Sequence, residues 1–166
     1  MSESAQRESV WRRWVVKPVV AQLTQGITPG KIALAIAFGV TIGIFPLLGT
    51  STLLSLVIGV PMKLNQPVLQ VFRELSYPLQ LATVLLFMRA GESLFGAAHV
   101  PLSIPMLMER FFADPGRFMA DFGMIGLYAV TVWLLIAPLL LGTIYFISRP
   151  IIERLSQRLN PTRHDA

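Results

Sequence analysis

The sequence predicts an all-α, polytopic helical membrane protein with a Pro/Gly-broken re-entrant hairpin, two further membrane helices and amphipathic interfacial helices. Three observations carry this expectation. The chain is 54% hydrophobic and only 14% charged, whereas a soluble domain carries about 25% charged residues. The stretches Ile32–Met62 and Phe122–Ser148 contain no Asp, Glu, Lys or Arg. Uncharged apolar runs of about 18 residues or more read as membrane segments. The basic residues gather at the two chain ends, beside those runs, as they do on cytoplasmic membrane flanks.

At 166 residues the chain has room for one domain. We divide it into a cytoplasmic tail with an interfacial helix (1–30), a membrane domain (31–150) and a basic cytoplasmic tail (151–166). The net charge of +5 points to anionic lipid headgroups at the termini rather than to nucleic acid. There is no cysteine, so disulfides and thiolate chemistry are excluded. The first 30 residues lack the compact apolar core of a cleavable signal peptide.

The first element is basic and tryptophan-rich. Trp11, Trp14, Val15, Pro18, Val19 and Leu23 recur at helical spacing with Arg12, Arg13 and Lys17 beside them, the pattern of a helix in the headgroup layer. Thr28 then suits an N-cap and Pro29 the first helical position.

The run that follows has an awkward length. Ile32–Met62 is 31 residues, about 46 Å as one helix against a hydrocarbon core of about 30 Å. It is too long for one upright span and too short for two. Pro46, Gly49 and Thr50 stand near its middle, where proline and glycine break a helix and a hydroxyl caps its restart. These residues predict a hairpin that enters the membrane and returns to the same side; a kinked, tilted single span is the alternative. Ala35, Gly39 and Gly43 form a small-residue stripe on the first arm that lets another helix approach closely.

A second helical stretch is expected from about Pro67 to Phe95, with Arg89, Gly91 and Glu92 at its far interface. Met106, Leu107, Phe111 and Phe112 suggest a surface helix. Phe122–Ser148 is long enough to span, with Pro138 as a kink, and Arg149-Pro150 ends it. Residues 1–31 hold five Lys or Arg and the tail holds Arg149, Arg154, Arg158 and Arg163. The positive-inside rule then places both termini in the cytoplasm.

Ile36–Thr50, Leu64-Asn65-Gln66-Pro67 and Tyr77-Pro78-Leu79-Gln80-Leu81 resemble a group of small bacterial membrane proteins, the domain of unknown function numbered two thousand and sixty-two. The Gly-x-Phe-Pro-x-x-Gly turn and the Tyr-Pro-Leu-Gln block are its most specific parts. The resemblance covers roughly residues 28 to 150 and implies a multi-pass protein of the bacterial cytoplasmic membrane. It implies no activity.

Enzymatic motifs are lacking. The two histidines, His99 and His164, have no partners at metal-ligand spacing. Ser51 has no nearby base. We therefore expect no catalytic residues, no metal and no cofactor. The sharper feature is polar. On one continuous helix, Gln66, Gln70, Arg73, Tyr77 and Gln80 fall within an arc of roughly 80°. With Asn65 and Glu74 they are the candidate substrate groove. Arg73 and Glu74, being adjacent, are expected to find their partners elsewhere. Two functions fit: a transport-type protein for a lipid or small polar or anionic solute, and a non-transporting scaffold or accessory subunit packing on itself or a membrane partner.

Overall fold

The computed structural model describes residues 17–24, 27–98 and 104–159. Every regular element among them is a helix. The tryptophan-bearing segment from Trp11, the two histidines and Arg163 lie outside the described residues.

Helix α1 (Lys17–Thr24) leads to α2 (Pro29–Gly43). Thr28 is the extended N-cap of α2 and Pro29 starts it, although the Thr28 side chain makes no capping hydrogen bond. The helix stops before Phe45-Pro46. Gly49, at φ +82°, turns the chain where other residues would be strained. Helix α3 (Ser51–Gly59) then runs back. Its N-cap is Thr50, whose hydroxyl donates to the Leu47 carbonyl at 2.8 Å. The arms of this hairpin are not matched halves: α2 has 15 residues and α3 has nine. The rest of the return is the loop 60–65. Both ends meet in one core cluster, where Ile32 and Ala35 pack with Leu64, Val68, Leu69, Val19 and Ile152.

The stretch expected as one helix from Pro67 to Phe95 is two, α4 (Gln66–Leu75) and α5 (Tyr77–Leu94), with Ser76 between them. Pro78 explains the break, because it has no N–H to continue the ladder. Asn65 is the N-cap of α4, its side-chain oxygen accepting from the Val68 N–H at 3.1 Å. Helix α6 (Ile104–Ala113) carries the exposed Met108 and Phe112. Helix α7 (Pro115–Leu159) has 45 residues. It begins before the expected Phe122 and passes through both Pro138 and Pro150, so Arg149-Pro150 does not end it. Arg149 donates to Glu153 at 2.8 Å one turn later. That hydrogen bond and the nearby carboxylate charge raise the arginine pKa above its ordinary value.

Helix α2 is the centre of the fold and packs on α7 and α4, while α5 packs on α7. Gly30 lies beside the Tyr145 hydroxyl, the Trp133 indole reaches Thr41, and Gly126 lies beside Leu47. The numbers fall along α7 as they rise along α2, so the two are antiparallel. Helix α4 lies on the other side. A Cβ on Gly39 would stand 2.7 Å from the Leu69 carbonyl oxygen, and one on Gly43 would stand 2.6 Å from the Ser76 Cβ. With Ala35 fully buried in the same contact region, the small-residue stripe is taken up inside this chain.

The end of α2 shows how a broken helix is tolerated in an apolar interior. The Phe45 N–H bonds the Ile42 carbonyl instead of that of Thr41. The Thr41 carbonyl instead accepts from the Trp133 indole at 3.1 Å. The Phe45 carbonyl accepts from the buried Gln80 amide at 2.6 Å. Phe45 and Trp133 also meet edge to face at 4.9 Å. Leu53, Leu86, Leu135, Leu139 and Phe146 form much of the outer surface, each at least 65% exposed.

The close approach at α2 and α4 gives a prediction. Gly39→Ala should lower stability by about 1–3 kcal/mol, because the added carbon meets backbone that cannot move away. Gly142→Ala, with nothing within 4 Å, should instead raise stability by about 0.5–1 kcal/mol, because alanine is the better helix former. Thermal unfolding of the detergent-purified variants measures both.

Candidate functional site

Helix α4 is amphipathic because its polar residues recur every three to four positions. Gln66, Gln70 and Arg73 therefore share one face. Since the glycines of α2 hold another face of α4, this polar face meets α3.

The pairs run in register. A Cβ on Gly59 would stand 2.7 Å from the Gln66 Nε2. Gln70 Nε2 donates to Ser55 Oγ at 3.1 Å. Arg73 Nη1 donates to Thr52 Oγ1 at 2.8 Å and to Ser51 Oγ at 3.3 Å. As numbers rise on α4 they fall on α3, so the helices are antiparallel and their contact is a polar seam. Two further bonds knit it together. Arg73 Nε donates to Gln70 Oε1 at 2.9 Å, and Ser55 Oγ donates to the Thr52 carbonyl at 2.7 Å.

Arg73 also pairs with Glu74 through Nη2. The sequence expectation that adjacent residues would not pair is corrected here. The long arginine side chain lies along the seam and its outer nitrogen meets the neighbouring carboxylate. The two partners differ in setting: the Arg73 side chain is 11% exposed and that of Glu74 is 65% exposed. The carboxylate thus lies at the surface and the guanidinium below it. The hydroxyls and Gln70 keep the other nitrogens in place.

Gln66 is the odd member. Neither its amide nitrogen nor its amide oxygen has a hydrogen-bond partner among the described residues, and both atoms are buried. Such unmet burial costs about 1–3 kcal/mol.

The remaining candidates fall elsewhere. Asn65 caps α4, and Gln80 belongs to the end of α2. Tyr77 is exposed and lies past the break at Ser76. The single polar arc assumed a continuous helix, and the break turns Tyr77 and Gln80 out of the seam. The α3 hydroxyls of Ser51, Thr52 and Ser55 were missed. Their signal was their place directly after the Pro46–Gly49 turn, at helical spacing.

Glu92, expected with Arg89 and Gly91 at the far end of the second stretch, is buried: its side chain is 1% exposed and it accepts from Arg89 at 2.8 Å. Gly91 beside it packs on Tyr128, and Tyr128 stacks on Phe95. Among the described residues, no group of three or more His, Asp or Glu is placed to hold a metal ion.

The profile of a bacterial protein family, described as "Uncharacterized protein conserved in bacteria (DUF2062)", matches residues 12–160. The chain belongs to this family. The match takes in every described helix, so the α2 break and the α3–α4 seam both lie within the DUF2062 unit. No curated protein and no solved structure shows a significant match. Helix α7 of this DUF2062 chain is the one helix among the described residues long and apolar enough to cross a membrane. Only 22% of its most apolar window is buried, unlike the core helix of a soluble protein.

Two glutamines test the seam and the α2 end against each other. Gln66→Leu should raise stability by about 1–3 kcal/mol by removing unpaired buried polar atoms, and Gln80→Leu should lower it by a similar amount by orphaning the Phe45 carbonyl. Opposite shifts in melting temperature are expected; shifts of the same sign would contradict the assignment.

Proposed function

We propose that this chain is a multi-pass protein of the bacterial inner membrane, of the transport type, acting on a lipid or a small polar or anionic solute. The observation that carries the reading is the α3–α4 seam: an ordered row of amides, hydroxyls and one guanidinium beneath an apolar outer surface. In this reading α2 and α3 form the re-entrant hairpin, the α4–α5 stretch makes one crossing and α7 the other, and both termini are cytoplasmic. Between Tyr145 and Gly126, the residues flanking α2, α7 advances 19 residues. That is about 28 Å, close to a hydrocarbon core of about 30 Å. The hairpin turn then reaches towards the far side of that core, and the Thr41 and Phe45 carbonyls short of it need the donors that Trp133 and Gln80 supply.

The seam works by exchange. At rest Glu74 neutralises Arg73. An incoming phosphate or carboxylate takes the place of Glu74 on the outer nitrogen, while Ser51, Thr52 and Gln70 hold the guanidinium in position. The basic termini, read the same way, rest on anionic headgroups. A scaffold role draws no support from the small-residue stripe, since Ala35, Gly39 and Gly43 are buried within the chain.

The test is lipid retention by native mass spectrometry, with the protein released from nanodiscs of equal parts phosphatidylglycerol and phosphatidylcholine. Wild type should keep phosphatidylglycerol selectively. Arg73→Ala should lose roughly tenfold or more in that selectivity, with helical circular dichroism unchanged. Glu74→Gln should increase it by removing the competing carboxylate. Equal retention by all three proteins would rule the reading out.

A further inference from the structure

The depth of Glu74 follows from its neighbours. A Cβ on Gly39 or Gly43 would meet the Arg73 backbone, at 3.3 Å from its nitrogen or 2.9 Å from its carbonyl oxygen. Between those glycines stands Thr41, whose carbonyl is bonded to Trp133. Trp133 is 12 residues from Tyr145 and seven from Gly126, about 18 Å and 10 Å along α7. With α7 across the bilayer, Arg73 and Glu74 therefore lie within the hydrocarbon, well short of either edge.

At that depth the outer side of α4 and α5 carries polar groups. The Glu74 side chain is 65% exposed. Its Oε1 is taken by Arg73, while its Oε2 accepts no hydrogen bond among the described residues. Tyr77 is 51% exposed, and its hydroxyl also has no partner among the described residues. It follows Ser76, which lies against Gly43. Acyl chains offer neither donor nor acceptor, so lipid leaves both groups unmet at a high cost. What covers them has to bring a donor for the carboxylate and an acceptor for the phenol.

A second copy of the chain brings both. A two-fold contact sets residue i against j and j against i, so an open acceptor and an open donor on one face complete each other across the axis. Tyr77 is three residues on from Glu74, about 4.5 Å along a helix. Helical side chains lean towards the N-terminus, and the long tyrosine ring brings its hydroxyl back towards the level of Glu74. Leu81 and Leu85 follow Tyr77 at four-residue spacing and share its face. They are 47% and 52% exposed and supply the apolar remainder of the contact.

We propose that two copies of this chain pair in the bilayer across the Glu74–Tyr77 face, the Tyr77 hydroxyl of each donating to the Glu74 Oε2 of the other. This rests on the membrane placement in the function proposed above and completes the seam. When an anion takes the outer nitrogen of Arg73, Glu74 keeps a donor in Tyr77 of the partner subunit.

The test uses the full chain in liposomes of phosphatidylglycerol and phosphatidylcholine. Donor and acceptor dyes are placed on Glu109→Cys in separate pools, a single site in a chain without cysteine. Energy transfer should rise with the protein-to-lipid ratio and saturate. Tyr77→Phe keeps the ring, should melt like wild type, and should need roughly tenfold more protein per lipid for half-maximal transfer. A short bismaleimide should join copies carrying Leu81→Cys and not copies carrying Leu135→Cys, which is 67% exposed on α7.

A wild type that stays monomeric at every ratio, a Tyr77→Phe curve equal to wild type, or cross-linking through Leu135→Cys in place of Leu81→Cys each overturns the proposal. Lipid selectivity tells this failure from that of the seam. A monomeric wild type whose phosphatidylglycerol selectivity still depends on Arg73 sinks the pair and leaves the seam. A Tyr77-dependent dimer whose selectivity survives Arg73→Ala does the reverse.

Discussion

The fold depends on how the broken end of α2 is satisfied. A helix that stops in an apolar interior leaves carbonyl groups with neither water nor backbone to bond them. Here the donors come from two other helices: Trp133 of α7 serves the Thr41 carbonyl and Gln80 of α5 serves that of Phe45. These bonds tie the hairpin turn to the two helices that hold the second core cluster. Without them the Pro46–Gly49 break would be an unmet cost in the centre of the molecule. With them it becomes a fixed joint from which α3 can turn back.

That joint and the glycine face of α2 together decide where the polar residues go. Gly39 and Gly43 let α4 lie against α2 at backbone distance. The rotation of α4 is thereby set, and its amides and guanidinium have only α3 to face. Helix α3 offers three hydroxyls and a glycine at matching positions. The packing of small residues and the placement of polar ones are thus one arrangement. It costs α3 its apolar contact with α4 and leaves Leu53, Leu56 and Val57 on the outside. Such a surface suits a lipid environment and would be a liability in water.

Much of this was legible in the sequence. The break at Pro46–Gly49, the proline start of α2 and the long apolar helix near the C-terminus follow from covalent geometry and hydropathy, which act locally. The stripe of Ala35, Gly39 and Gly43 announced a close helix contact, but the partner could not be read, because any helix can fill a small-residue face. The polar arc was half right for a similar reason. Gln66, Gln70 and Arg73 share a face over two turns, whereas extending it to Tyr77 and Gln80 required the helix to ignore Pro78. Trp133 and Glu92 were not legible as structural polar groups, since their roles depend on contacts far away in sequence. Helix α7 runs longer than its apolar stretch predicts, because the charged residues at its ends do not stop a helix that continues into a polar, amphipathic segment.

The proposed function requires α3 to lie in lipid with its hydroxyls turned inward. The absence of cysteine makes a single label at Leu53→Cys straightforward. That position is 66% exposed and points away from the seam. A nitroxide there, in lipid nanodiscs, should be relaxed far more by oxygen, which partitions into the hydrocarbon core, than by a water-soluble nickel chelate. Nickel access equal to or above that of oxygen would place α3 in water and contradict the central claim.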